Sequence, residues 1–143
     1  MYRIAFLAVL MLTLSCSKDI KPTAPDEIPF RATDLTVGAT SWQGDHWSGS
    51  EWAYSVTGTV KNNSARTLNV VTVLIQYKVK GIVRANETAN VDPIILAPGV
   101  TGAFEGWEVM NVGENYRDMD SFTIQPSCTL GAGQAHSASI NWN

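Results

Sequence analysis

The amino-acid sequence predicts an all-β protein, an antiparallel immunoglobulin-like β-sandwich of about seven strands. In several segments hydrophobic and polar side chains alternate with a period of two, which places them on opposite faces of a sheet. No segment shows a 3.6-residue period over three helical turns, and eleven glycines interrupt the chain. Long helices are therefore not expected.

The composition is that of one globular domain. Of the 143 residues, 45% are hydrophobic and 16% are charged, which is too apolar for a disordered chain. The formal net charge of -3 gives no general attraction to phosphate groups, so nucleic acid is not expected as a partner.

The first fifteen residues predict an export signal. Arg3 gives the start of the chain a positive charge, and the apolar run at residues 4–14 follows. As a helix this run would span about 16 Å, roughly half of a bilayer core, so it is too short for a membrane span. It indicates a signal peptide at residues 1–15.

Residues 12–16, Leu-Thr-Leu-Ser-Cys, resemble the lipobox of bacterial lipoproteins, although Thr13 stands where the family prefers Leu. The resemblance implies a diacylglycerol on the Cys16 thiol, cleavage before Cys16, and acylation of the new amino group by fatty acids such as palmitate. Ser17 follows and no Asp stands beside Cys16, which by resemblance to enterobacterial sorting rules favours the outer membrane, on its periplasmic or surface face. The alternative is a secreted protein in which Cys16 is incidental.

A tether is predicted between the anchor and the domain, so that residues 16–29 comprise the lipidated cysteine and a proline-rich spacer. Residues 17–29 contain three prolines and five charged residues, and they cannot bury enough apolar area to offset the entropy of ordering. Residues 30–143 remain for the sandwich, close to the roughly 100 residues typical of an immunoglobulin-like domain.

The strands are predicted in order along this domain. Residues 52–61 alternate clearly, and a second strand at residues 68–79 buries every other side chain, namely Val71, Val73, Ile75, Tyr77 and Val79. A turn at Lys80 and Gly81 leads to a partner strand that begins at Ile82 and fades into the polar residues 86–90.

Pro98 and Gly99 predict the next turn, because proline presets φ and glycine tolerates positive φ. Further strands are predicted at residues 101–109, at residues 121–125 with Phe122 and Ile124 facing inward, and at residues 137–142.

Residues 52–107 resemble the FxLYD domain, a family of small extracellular immunoglobulin-like modules of bacteria and archaea, many of them on lipoproteins. The resemblance rests on residues 56–62, on Gly81 followed by Ile82 and Val83, and on residues 96–99 leading to Phe104. In the name-giving motif Tyr77 fits, whereas the other three positions differ: Leu74, Gln76 and Lys78. The resemblance implies a fold and no particular activity, since the family has no established common function.

Three tryptophans spaced by five residues mark residues 41–52. Trp42 and Trp52 are predicted to end two strands and join the core, with residues 44–49 as a hairpin loop between them. Trp47, flanked by Asp45 and His46, is predicted as an exposed anchor for a partner or a glycan. Aromatic rings stack on pyranose faces, and the neighbouring polar groups would bind hydroxyls.

No catalytic residues are assigned, and the protein is not expected to be an enzyme. A Gly-x-Ser-x-Gly motif is absent from the sequence, and only His46 and His136 offer an imidazole base. The acidic residues at 114–120 do not match the spacing of a calcium loop, so no metal site is expected there. No cofactor is expected either. Once Cys16 is acylated, Cys128 is expected to be a buried reduced thiol.

The sequence therefore predicts a membrane-anchored envelope lipoprotein with a non-catalytic interaction or accessory module. Its partners would be the lipid bilayer, through Cys16, and another envelope protein. The alternative is a carbohydrate-binding surface lipoprotein that uses the loop around Trp47.

Overall fold

The structure, a computed structural model, describes residues 28–111 and 115–142 and is an antiparallel β-sandwich over these residues. The predicted all-β class is confirmed. The signal peptide, the Cys16 attachment site and the tether up to residue 27 are predictions that lie outside the described residues.

Eight strands are described, together with single 3-10 turns at Ala32–Asp34 and Tyr116–Asp118. The strands are β1 (Leu35–Ser48), β2 (Glu51–Asn62), β3 (Thr72–Val79), β4 (Ile82–Asn90), β5 (Thr101–Asn111), β6 (Met119–Cys128), β7 (Gly131–Ala132) and β8 (His136–Ser139). One sheet has the order β1-β2-β5 and the other β4-β3-β6, with β7 and β8 both paired to β6 along its free edge. The eight strands thus fill seven positions, three facing four.

The core lies between the two sheets and follows the predicted alternation. Along β3 every second side chain is buried, and Phe122 and Ile124 of β6 face inward beside them, as predicted. Each large aliphatic or aromatic side chain removed from water contributes on the order of 1.5–3 kcal/mol. The largest fully buried side chains include Tyr54, Val56, Val60, Leu35, Leu68, Ile75, Tyr77, Leu96, Met119 and Phe122.

The predicted strand at residues 68–79 is too long, because β3 begins only at Thr72. Residues 63–71 cross from one sheet to the other, and Leu68 pairs with Leu96 in an isolated bridge. Val70 interrupts the extended backbone with a φ of 52°. A β-branched residue rarely adopts this left-handed conformation. Valine is typical of strands, and for this reason the sequence predicts a strand at Val70 where the backbone is not extended.

The predicted loop at residues 44–49 is wrong. These residues continue β1 to Ser48, which pairs with Glu51, so that only Gly49 and Ser50 form the turn. Gly44 serves packing and not a turn: a Cβ there would lie 3.2 Å from the Tyr54 ring and 3.0 Å from the Trp142 ring.

The sandwich has two distinct ends. The chain enters at one end, which we call the tether end; it comprises residues 28–31, the crossing segments 63–71 and 91–100, and the turn at residues 129–130. The other, the hairpin end, carries the turns at residues 49–50 and 80–81. The two ends differ in the side chains they expose.

Burial of Tyr54 makes the free energy of unfolding decrease at alkaline pH. Its side chain is fully buried in β2, and this burial raises its pKa from 10.0 to about 12. A raised pKa means that the folded state holds the proton more tightly, so the stabilisation is complete below pH 10 and is lost as pH rises toward 12. We expect urea unfolding to show a loss on the order of 2 kcal/mol across this window.

The Tyr54→Phe variant is expected to reduce that slope. Burial and the carboxylates of Glu87 and Glu108 also raise the pKa of Tyr77, so Tyr77→Phe should reduce the slope further. An unchanged slope in the double variant would contradict this assignment.

Candidate functional site

Trp47 lies on the outer face of the three-stranded sheet, in the same phase of β1 as Asp45, and it stands at an irregularity of the strand. His46 pairs with Trp52 and Ser48 pairs with Glu51, which leaves Trp47 as the extra residue of a β-bulge. A bulge changes the direction in which a side chain leaves the strand. The Trp47 side chain is 58% exposed, so the predicted exposure is confirmed although the predicted loop is not.

Trp47 packs against a second exposed tryptophan, Trp107 of β5. The ring centroids lie 5.4 Å apart with an interplanar angle of 73°, an edge-to-face arrangement that is favourable for aromatic rings. Trp107 is 49% exposed. We call these two residues the tryptophan pair.

The tryptophan pair spans β2, which lies between the two strands that carry the rings. Trp107 pairs with Ser55 in the sheet register, and Ala53 holds the next outward position toward the hairpin end. Ala53 is almost fully buried although its face of the sheet is the solvent one. A small residue at this position leaves room for the rings to meet above it.

Polar groups surround the tryptophan pair on the same face. Gln43 donates from Nε2 to Oδ2 of Asp45 at 2.8 Å. At the hairpin end, Asn111 donates from Nδ2 to the Ser50 hydroxyl at 2.7 Å. An exposed aromatic centre with fixed hydrogen-bonding neighbours can bind a partner surface.

The structure separates the three residues that the sequence grouped as a binding site. Asp45 and Trp47 share the outer face, whereas the His46 ring lies 5.2 Å from Trp52, its partner in the register. His46 Nε2 is also 3.0 Å from the Gly49 carbonyl oxygen, which holds the imidazole against the hairpin turn. His46 therefore contacts the hairpin turn and Trp52, and it lies on the other side of β1 from Asp45 and Trp47.

The remaining tryptophans of this region belong to the core, as predicted for Trp42 and Trp52. Both are partly buried and pack against the hydrophobic cluster. The Trp42 ring meets Trp142 edge to face at a centroid distance of 4.6 Å, and Trp142 Nε1 donates to the Met119 carbonyl oxygen at 2.8 Å.

Sequence reasoning missed Trp107. A signal was present, because Trp107 stands in the outward phase of β5 together with Glu105, whereas Phe104 and Met110 stand in the buried phase. An aromatic side chain in the outward phase of a strand indicates an exposed ring. Its contact with Trp47 depends on strand pairing, which spacing along the chain does not show.

Acidic groups meet inside the sandwich at Tyr77. The Tyr77 hydroxyl donates to Oε2 of Glu87 at 3.1 Å, and Glu108 of β5 also acts electrostatically on this phenol.

Over residues 28–111 and 115–142, no group of three or more histidine, cysteine, aspartate or glutamate side chains is placed to hold a metal ion. Cys128, expected to be buried, is partly exposed because it ends β6 at the sheet margin.

The chain matches no family model and no curated protein. Among solved structures, it is similar to part of a β-glucuronidase of glycoside hydrolase family 2, with a TM-score of 0.58 and 11% identity. The similarity covers 75% of this chain and 12% of the β-glucuronidase. This likeness shows the fold.

Two smaller proteins also resemble the chain. A protein from Archaeoglobus fulgidus has a TM-score of 0.46 and 10% identity over 76% of this chain and 98% of that protein. A structural genomics target has the same TM-score with 13% identity, covering 76% of this chain and 83% of that protein.

In the part of the chain that the structure describes, no helix is long and apolar enough to cross a membrane.

Proposed function

We propose that this chain is a bacterial envelope lipoprotein with an FxLYD-like domain, anchored to the outer membrane through acylated Cys16. Its sandwich is a non-catalytic module that binds another envelope protein through the tryptophan pair. The lipobox-like residues 12–16 support the anchor, and the exposed Trp47 and Trp107 side chains support the binding surface.

The observation that carries the binding role is the geometry of the tryptophan pair. Two indoles, each about half exposed, meet edge to face and form a preorganised apolar centre with a polar rim. Tryptophan is enriched among the residues that dominate protein interfaces, because one ring buries a large area with few torsions to fix.

The ring angle favours a protein over a glycan as the partner. At 73° the two rings do not form one flat platform, so a sugar chain can stack on one ring but not along both. A wedge of this shape fits a pocket in a folded partner.

Carbohydrate binding is the second candidate. It is favoured by the amide, carboxylate and hydroxyl groups around the rings, among them the hydrogen-bonded Gln43 and Asp45. A single pyranose stacked on one indole would use these groups.

Site-specific crosslinking in the native envelope tests the proposal. A photoreactive residue at position 43 lies on the face of the tryptophan pair, and one at the exposed position 84 lies in β4 of the other sheet. We expect one defined protein to be crosslinked from position 43 and not from position 84. In a Cys16→Ala chain, which cannot be acylated at this thiol, that product should disappear.

Equal products from both positions, or none from position 43, would refute protein binding at this face. Polysaccharide retained by the wild type and lost in Trp47→Ala or Trp107→Ala would instead support the second candidate.

A further inference from the structure

The tether end exposes more large hydrophobic side chains than the rest of the described sandwich. Of the ten that are exposed over residues 28–111 and 115–142, six lie at this end. They are Ile28, Val70, Ile94, Ile95, Val100 and Leu130. Soluble domains seldom group exposed apolar side chains in this way unless the group has a partner.

Backbone hydrogen bonds hold four of these side chains in neighbouring segments. Val71 N–H donates to the Ile94 carbonyl at 2.8 Å, and Thr129 N–H donates to the Asn69 carbonyl at 3.2 Å. Val70 therefore lies between the segment of Ile94 and Ile95 and the turn that carries Leu130. We call Val70, Ile94, Ile95 and Leu130 the apolar rim.

Val70 indicates that the rim does not serve folding alone. Its φ of 52° is a conformation that asparagine or glycine adopts more readily than a β-branched residue. Its side chain is 53% exposed, so little burial compensates for the strained backbone. An exposed valine in a strained backbone conformation indicates a role outside the fold.

The chain itself brings the tether end to the membrane. Eleven residues lie between Cys16 and Ile28, the first described residue, and this linker spans at most about 40 Å when fully extended. Trp47 lies twelve residues beyond Leu35 along β1, about 40 Å farther from that end. A lipid on Cys16 is thus attached through the end of the sandwich that carries the apolar rim and not through the end that carries the tryptophan pair.

We infer that the apolar rim rests on the bilayer that carries the anchor, with Val70, Ile95 and Leu130 inserted at the boundary of headgroups and acyl chains. The inference rests on the lipid anchor of the proposed function. It adds a second contact to the anchor and orients the sandwich, so that the tryptophan pair faces away from the lipid.

The contact is apolar and not electrostatic. Arg31, Lys61 and Arg66 at the tether end are nearly balanced by Asp34 and Asp92. Contact with zwitterionic lipid is therefore expected to be as good as contact with anionic lipid, since apolar area and not charge drives it.

Depth-dependent quenching tests the contact on the full acylated chain. The acylated Cys128→Ser protein is reconstituted into phosphatidylcholine vesicles, with an environment-sensitive fluorophore on Leu130→Cys, Ile95→Cys or the control Ile82→Cys. Ile82 is a matched control because it is 62% exposed but lies at the hairpin end. Lipids with brominated acyl chains are expected to quench the labels at positions 95 and 130 several-fold more than the label at position 82.

Flotation of the same vesicles distinguishes failure of the lipid anchor from failure of the rim contact. If the protein floats with the vesicles but the three labels are quenched equally, the anchor stands and the rim contact is refuted. If the protein does not float, both the anchor and the rim contact are refuted.

Val70→Asn distinguishes a membrane role from a structural one. Asparagine relieves the backbone strain, so the thermal midpoint is expected to rise by roughly 3 °C. It also removes an apolar side chain from the rim, so quenching of the label at position 130 should fall. A rise in the thermal midpoint with unchanged quenching would show that Val70 does not contact lipid.

Discussion

Replacement of Asn62 by alanine is expected to lower the free energy of unfolding by about 3 kcal/mol, since the side chain makes several hydrogen bonds in a buried position. Asn62 is fully buried at the end of β2. Its Nδ2 donates to the Arg66 and Leu96 carbonyls at 2.8 Å each. Its Oδ1 accepts from the Ser64 backbone N–H at 2.9 Å and from the Ser64 hydroxyl at 2.7 Å.

These bonds join the crossing segment after β2 to the segment before β5, so their loss loosens the tether end as a whole. Chemical denaturation measures the effect. Asn63→Ala is the matched control: Asn63 is exposed and donates to the Thr33 carbonyl at 3.1 Å and to the Thr36 hydroxyl at 2.9 Å. Its loss should cost under about 1 kcal/mol, because water replaces exposed partners. Equal effects of the two variants would contradict the role assigned to Asn62.

Removal of either ring of the tryptophan pair is expected to weaken binding of the crosslinked partner by about 100-fold, as for a dominant residue at the centre of an interface. Each ring fixes the orientation of the other, so the double variant should lose little more than either single variant. Titration calorimetry with the purified partner measures these differences.

The control is Ile82→Ala, which removes a similarly exposed hydrophobic side chain from β4. It should leave affinity unchanged. The tryptophan variants should change the free energy of unfolding by only about 1 kcal/mol, because an exposed aromatic pair contributes that much. A loss of affinity that follows a loss of folded protein would refute a direct contact.

The sequence predicted the strands whose burial alternates cleanly. The positions of β2, β3 and β5 can be predicted from local sequence alone, because alternate side chains of each strand are hydrophobic and face the core. β1 was missed in its outer half, since polar residues and glycines there indicated a loop. Gly44 is required because the Tyr54 and Trp142 rings approach the strand closely at this point. These two residues are distant in sequence, so local sequence does not show the requirement.

The sequence predicts one of the two tryptophans of the candidate site. The exposure of Trp47 followed from its polar neighbours, but its partner Trp107 lies sixty residues away and meets it only through the pairing of β1 and β5 with β2. His46 was grouped with Asp45 because they are adjacent, whereas adjacent residues of a strand face opposite sides. Burial of Asn62 was likewise not predicted, because asparagine near a turn is ordinarily exposed.

The bulge at Trp47 has an evolutionary consequence. Because Trp47 is the one residue without a partner between His46 and Ser48, its deletion would restore regular pairing and leave the two-residue turn in place. One in-frame codon therefore separates a sandwich with the tryptophan pair from a sandwich of the same fold without it. The surface of the tryptophan pair can thus be removed in a single step that leaves the residues of the core in place.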